Sequence, residues 1–192
     1  MNFCCDCGGP LSLRIPERDD RHRHVCDTCG MVHYQNPRVV VCAIPIWNDK
    51  ILLCRRAIEP RHGFWTLPGG FMENDESTLD TARRETFEEA GAHIEVGELF
   101  ALFNLVQINQ VQLFFRATLP EPVFAPGIES LEVALFAPGE IPWDELAFTS
   151  VSCTLREYFK DRAQGHYRLR VADILHPPGQ ERRIHPHNFA HD

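Results

Sequence analysis

No stretch of this chain approaches the roughly 18 consecutive apolar residues that a membrane-spanning helix requires, so no membrane partner is expected. A signal-peptide hydrophobic region is also missing at the N-terminus, where Met1 is followed almost at once by cysteines. A cytoplasmic, reducing compartment is the expectation that follows. Positive charge is not in excess. The formal net charge of −8 argues against a general nucleic-acid binder and for ordinary solubility. Internal repeats and low-complexity tracts are absent, so no repeat architecture is expected.

What is present fits a globular enzyme. At 192 residues, one or two domains with a real core are expected. The 8 cysteines are not read as a disulfide framework, because four of them form two CxxC pairs without a secretion signal. Cys4-x-x-Cys7 and Cys26-x-x-Cys29 flank an interval of 18 residues, the spacing of a zinc ribbon. Four thiolates at these positions close a tetrahedral shell around a structural Zn²⁺. Cys5 is a bystander, and His22, His24 and His33 are left without a ligand role. Arg14, Arg18, Arg21 and Arg23 are offset by Asp6, Glu17, Asp19, Asp20 and Asp27, so the ribbon is expected to be structural or dimer-forming. The expected organisation is a ribbon over 1–36, a catalytic domain over 37–166 and a Pro/His-rich tail over 167–192.

The stretch Gly69 to Ala92, GGFMENDESTLDTARRETFEEAGA, organises the rest. Ser77 can cap a helix with Asp80 completing a capping box, and Gly91 can stop it. Leu79, Ala82, Thr86 and Ala90 share one side, which suits packing on a sheet. Glu85, Glu88 and Glu89 crowd onto a neighbouring face at i, i+3 and i+4. A solvated acidic face is the plainer alternative. The Gly-Gly turn before the helix weighs against it, because it lets backbone carbonyls approach the point the carboxylates address. Hard oxygens converging on one point describe a Mg²⁺ or Mn²⁺ site with room for phosphates.

Gly70, five residues, Glu76, seven residues and then Arg84-Glu85-Thr86-Phe87-Glu88-Glu89-Ala90-Gly91-Ala92 together resemble the Nudix box. Thr86 and Ala92 stand where the family usually has larger aliphatics, away from the acidic set. The resemblance implies hydrolysis of a nucleoside diphosphate linked to another moiety. It implies that Glu85, Glu88 and Glu89, with the Gly70 carbonyl, hold the divalent metal. Arg84 would orient the carboxylates, and Glu76 would be a structural or outer-shell acid.

Elsewhere, Arg38 to Trp47 and Ile51 to Arg55 read as two strands joined at Asn48-Asp49-Lys50. Cys42 and Cys54 lie inside them as buried hydrophobes. Arg55, Arg56 and Arg61 are candidate phosphate contacts, with plain surface charges an equal alternative. Two further strands, Ile94 to Leu105 and Ile108 to Leu119, carry Phe100, Phe103, Phe114 and Phe115. Most of these rings should be core, with one available to stack on an adenine or flavin. Glu129 and Glu132 stand at the entrance of the strand Leu131 to Phe136. By the resemblance one such glutamate joins the metal cluster or activates water, and Glu132 matches that place better. Ser150 to Gln164 reads as an amphipathic helix. From Tyr167 onward the chain is rich in His, Pro and Arg, and a disordered tail is expected, its His185, His187 and His191 able to bind adventitious metal.

These readings assemble into an α/β fold: a Nudix α/β/α sandwich with a mixed sheet, preceded by a small zinc ribbon. The arrangement is similar to the NADH pyrophosphatase group, the plant FAD pyrophosphatases and the ADP-ribose pyrophosphatases. Where NADH pyrophosphatases carry an SQPWPFP-type stretch, this chain reads ALFNLVQINQVQLFF. The proline that marks many ADP-ribose pyrophosphatases is replaced by Gln107 and Ile108. The expected reaction is metal-assisted attack of water on a pyrophosphate, with Glu85 or Glu132 taking the proton and AMP released. FAD and ADP-ribose stand ahead of NADH and nucleoside triphosphates as substrates, and a homodimer is expected. The competing reading is a non-catalytic nucleotide sensor.

Overall fold

A computed structural model describes residues 1–175 and 183–187. The chain divides into two compact units, Met1–Pro37 and Arg38–Asp192. No helix among the described residues is long and apolar enough to cross a membrane.

The first unit is a three-stranded antiparallel sheet of β1 (Leu11–Arg14), β2 (Arg23–Cys26) and β3 (Val32–His33), in that order. Its buried apolar residues are few, namely Cys4, Val25 and Cys26. So small a core cannot by itself offset the entropy of ordering the segment.

The second unit is built on β4 (Arg38–Trp47), whose run of apolar residues is buried on both faces. Alternation along the strand sends Cys42 and Ile44 to one side of the sheet and Val41 and Ala43 to the other. The chain turns at Asn48, which takes a positive φ of 56°, into β5 (Lys50–Arg56). β4 and β5 pair only at the turn, through Ile46 with Ile51 and Trp47 with Lys50. Beyond it they splay, and β6 (Trp65–Thr66) pairs with β5 while β7 (Gly69–Phe71) pairs with β4.

After β7 comes helix α1 (Thr78–Ala90), then β8 (Glu95–Leu105), β9 (Gln110–Thr118), β10 (Ser130–Phe136), helix α2 (Thr149–Gln164), β11 (Arg170–Leu175) and β12 (Arg183–Pro186). The sheet order is β10-β5-β4-β9-β8-β11-β12. The β4–β9 and β8–β11 pairs are parallel and their other neighbours antiparallel, which makes the sheet mixed. Ala82 and Ala90 of α1 cover one face, while Val151, Leu155 and Tyr158 of α2 cover the other. This is the expected α/β/α sandwich.

Three expectations are corrected. Leu79 does not pack on the sheet but remains partly exposed in the first turn of α1, and Thr81 is buried instead. None of Phe100, Phe103, Phe114 and Phe115 is free to stack on a ligand, since all four are buried in the sheet core. The segment from Tyr167 is also not a loose tail over its described residues. Tyr167 stacks on Tyr158, and Arg170 makes a buried ion pair with Asp161 of α2. Ala172 and Ile174 of β11 point into the core in strict alternation. Its overall composition of His, Pro and Arg hides that short period-two pattern. His191 lies outside the described residues.

If β11 is part of the core, Ala172→Asp should destabilise the protein by several kcal/mol, because it buries an unpaired carboxylate. A segment outside the core would tolerate the change within about 0.5 kcal/mol. Urea unfolding of the variant separates the two outcomes.

Candidate active site

The site begins at a close approach that only glycine permits, since a Cβ on Gly69 would lie 2.4 Å from the Val41 carbonyl oxygen. β7 runs antiparallel to β4 with Gly70 opposite Val41, and a Cβ built on Gly70 would lie 2.5 Å from a carboxylate oxygen of Glu85. The loop backbone thus lies directly against an acidic side chain of α1. The helix starts where the sequence places it. Ser77 accepts the amide of Asp80, the Asp80 side chain accepts that of Ser77, and Gly91 closes the helix in the left-handed region.

Arg84 is the hub of the acidic face. Its Nε and Nη2 donate to the two oxygens of Glu76 at 3.0 and 2.8 Å, and Nη2 also donates to the Phe71 carbonyl at 3.1 Å. Its Nη1 reaches Glu85 at 2.8 Å and Glu88 at 3.1 Å. The guanidinium holds the Glu76 carboxyl well below the ordinary carboxylate range, at about 2. Glu76 therefore stays ionised, tying the loop to the helix through Arg84, the Glu73 amide and the Thr81 hydroxyl.

The three box glutamates occupy different depths. Glu88 is exposed and Glu85 partly buried, while Glu89 is buried and accepts the Gly69 amide at 3.1 Å. Burial pushes Glu85 up and Glu89 up further, to about 8. Glu89 can hold a cation only after giving up a proton. The donor set, three carboxylates beside a glycine backbone, is all hard oxygen and suits Mg²⁺ or Mn²⁺.

These residues open into a cleft of about 910 Å³, lined also by Arg56, Arg61, Phe71 and Glu129. Two sequence candidates are placed elsewhere. Glu132 faces Arg55 across the β10–β5 pair and forms an ion pair with it at 3.6 Å, and neither residue lines the cleft. Glu129 lines the cleft instead, close enough to Glu85 and Glu89 to contribute to raising both. A register shift between Ser130 and Glu132 separates the two acids, and no local sequence signal gives that irregularity. Arg56 stays in the cleft, its Nε fixed by the Pro60 carbonyl at 2.9 Å. Phe71, partly exposed with the Arg38 guanidinium 4.9 Å from its ring centre, is the aromatic ring the sequence reading missed.

In the first unit the sulfurs of Cys4, Cys7, Cys26 and Cys29 all lie within 4.8 Å of one another. Cys4 to Cys29 is 3.8 Å and Cys7 to Cys26 is 3.4 Å. Zn–S bonds of about 2.3 Å in a tetrahedron require sulfurs about 3.8 Å apart, so the four residues fit the ion. Backbone amides of Gly9, Thr28 and Cys29 point at the Cys7 and Cys26 sulfurs. The His33 Nε2 lies 3.3 Å from the Cys4 sulfur, so this histidine supports a ligand rather than idling. Cys5 is exposed and outside the set.

Residues 36–161 match the family model described as the NUDIX domain, and residues 2–35 match the zinc-ribbon model described as Nudix N-terminal. A crystal structure of a NUDIX hydrolase from Nitrosomonas europaea is 49% identical, with a TM-score of 0.86 over 90% of this chain and 99% of that one. The NAD-capped RNA hydrolase NudC of Photobacterium profundum is 31% identical over 141 residues, 71% of this chain but only 50% of that protein. This chain therefore spans half of that relative's length. A MutT-like protein of Streptomyces ambofaciens is 29% identical over 80% of this chain and 83% of its own.

With a closed thiolate shell, the purified protein should retain about one zinc per chain through mild dialysis. Cys26→Ser should release it and loosen residues 1–37 while the second unit keeps its melting transition. Elemental analysis and hydrogen exchange check this; a metal-free preparation with Cys4–Cys7 or Cys26–Cys29 disulfides would contradict it.

Proposed function

The chain belongs to the NUDIX family, and from that premise we propose that it hydrolyses the pyrophosphate bond of a nucleoside diphosphate linked to a second moiety. The observation that carries this reading is the convergence of Glu85, Glu88, Glu89 and Glu129 with Arg56 and Arg61 on one cleft. The three box glutamates and the Gly70 backbone would hold a divalent cation, which would neutralise phosphate charge and favour attack by water. Arg84 keeps Glu85 and Glu88 in place against their mutual repulsion. Arg56 and Arg61 contact the phosphate that departs or stays. Glu129 takes the proton of the attacking water. Among the described residues its carboxylate has no hydrogen-bond partner, whereas Glu85 is engaged by Arg84. Glu132, neutralised by Arg55, has no part.

The second moiety is read from the walls. Phe71, Val40, Leu105 and Ile108 give the cleft an apolar side suited to a flat ring. FAD or ADP-ribose, cleaved to AMP plus FMN or ribose 5-phosphate, is the proposed substrate class. The likeness to NAD-capped RNA hydrolases favours NADH as the second reading. The test is incubation with Mg²⁺ or Mn²⁺ and FAD, ADP-ribose, NADH, coenzyme A, diadenosine polyphosphates and nucleoside triphosphates, with products identified by mass. AMP from the first two supports the proposal. Preferred cleavage of triphosphates to inorganic pyrophosphate overturns the substrate class, and tight binding without turnover makes the protein a sensor.

Glu89→Gln and Glu129→Gln should each lower turnover by roughly 10²-fold or more, the scale for losing a positioned charge or base. Glu132→Gln should keep turnover within a few-fold of the unmodified protein. Steady-state rates on the best substrate decide it; a Glu132→Gln loss as large as that of Glu129→Gln would return the role to Glu132.

A further inference from the structure

Outside the cleft, one cluster of titratable side chains is explained by neither packing nor the proposed reaction. It lies where β12 closes the sheet. The antiparallel register sets Asp173 opposite His185, and alternation puts His187 on the same face two residues on. The parallel register on the other side sets Asn104 of β8 beside Asp173. An aspartate is a poor strand residue, and this one sits between the buried Ala172 and Ile174.

The contacts fix its orientation. Asn104 Nδ2 donates to Asp173 Oδ1 at 2.9 Å, and His187 Nε2 lies 3.0 Å from the same oxygen. The ring of His185 is 5.5 Å from that of His187, and among the described residues its nitrogens have no hydrogen-bond partner. One ligand atom from each of Asp173, His185 and His187 lies within 4.8 Å of the other two. A simple Asp–His ion pair would account for Asp173 and His187 but gives His185 no reason to face the same point.

We propose that Asp173, His185 and His187 form a second, exchangeable metal site for a borderline transition cation such as Zn²⁺, which staples β12 to β11. Two imidazoles and one carboxylate suit Zn²⁺, Co²⁺ or Ni²⁺ and do not suit Mg²⁺. Asn104 acts as the supporting group that orients the carboxylate ligand. Three protein ligands leave the remaining coordination to water, so the ion is held less tightly than in the ribbon's closed shell. Pro186 lies between the histidines on an edge strand, where a missing amide costs the ladder nothing. The fold leaves β12 short and exposed, and a cross-link to β11 is what such an edge lacks.

The test uses the full chain with its ribbon already zinc-loaded and excess Mg²⁺ present. Zn²⁺ is titrated by calorimetry into the unmodified protein, the double variant His185→Ala/His187→Ala, and Asn104→Ala. The unmodified protein should take one more equivalent than the double variant, and Asn104→Ala should bind that equivalent about tenfold more weakly. Zn²⁺ should also slow amide exchange in residues 183–187 of the unmodified protein but not of the double variant. Both histidines are exposed, so their removal leaves the core intact. Equal zinc uptake by the unmodified protein and the double variant overturns the site. Uptake without slowed exchange overturns the staple.

Discussion

One guanidinium makes the acidic face of this protein possible. Glu85, Glu88 and Glu89 lie within one helical turn, where like charges repel. Arg84 spends every face of its planar group on this problem, binding Glu76, Glu85, Glu88 and the Phe71 carbonyl. A lysine could not replace it, because a point charge lacks the fork that engages several oxygens at fixed angles. Partial exposure tempers the energy of each pair, so the value of the arrangement is positional as much as energetic. It locks the glycine turn and the helix into one rigid body, behind which the buried Glu89 accepts the Gly69 amide.

That rigid body depends in turn on the strand beneath it. β4 is buried on both faces and receives α1 on one side and the α2 layer on the other. Because β4 and β5 splay after their turn, β7 can slot beside β4 and carry Gly69 and Gly70 to the carboxylates. The hairpin that the sequence suggests is therefore only its first two pairs, and the opening between its strands is what admits the active-site loop.

The two units solve stability in different ways. The catalytic unit buries large side chains on both sides of a sheet and fastens its last interior strand through Arg170 and Asp161. The ribbon has almost no core, and the four sulfurs of Cys4, Cys7, Cys26 and Cys29 stand where a core would be. His33, set against the Cys4 sulfur, shows how even the histidine that the spacing rule leaves over is used.

The sequence alone determined whatever is written within a few residues. The Ser77–Asp80 box, the Gly91 stop, the i, i+3, i+4 glutamates and the paired CxxC spacings are local, and their meaning does not depend on distant pairing. The family and the sandwich were legible for the same reason. Tertiary structure decided which residue of each neighbouring pair meets the cleft. Glu129 enters and Glu132 does not; Arg56 enters and Arg55 does not; Phe71 is exposed while four other phenylalanines are sealed. It also made residues 170–175 a core strand. In a sheet, a shift of one residue exchanges the two faces, and the irregularity between Ser130 and Glu132 is such a shift. Register is set by partners far away in the chain, so no window of sequence around Glu132 could have revealed that it faces Arg55.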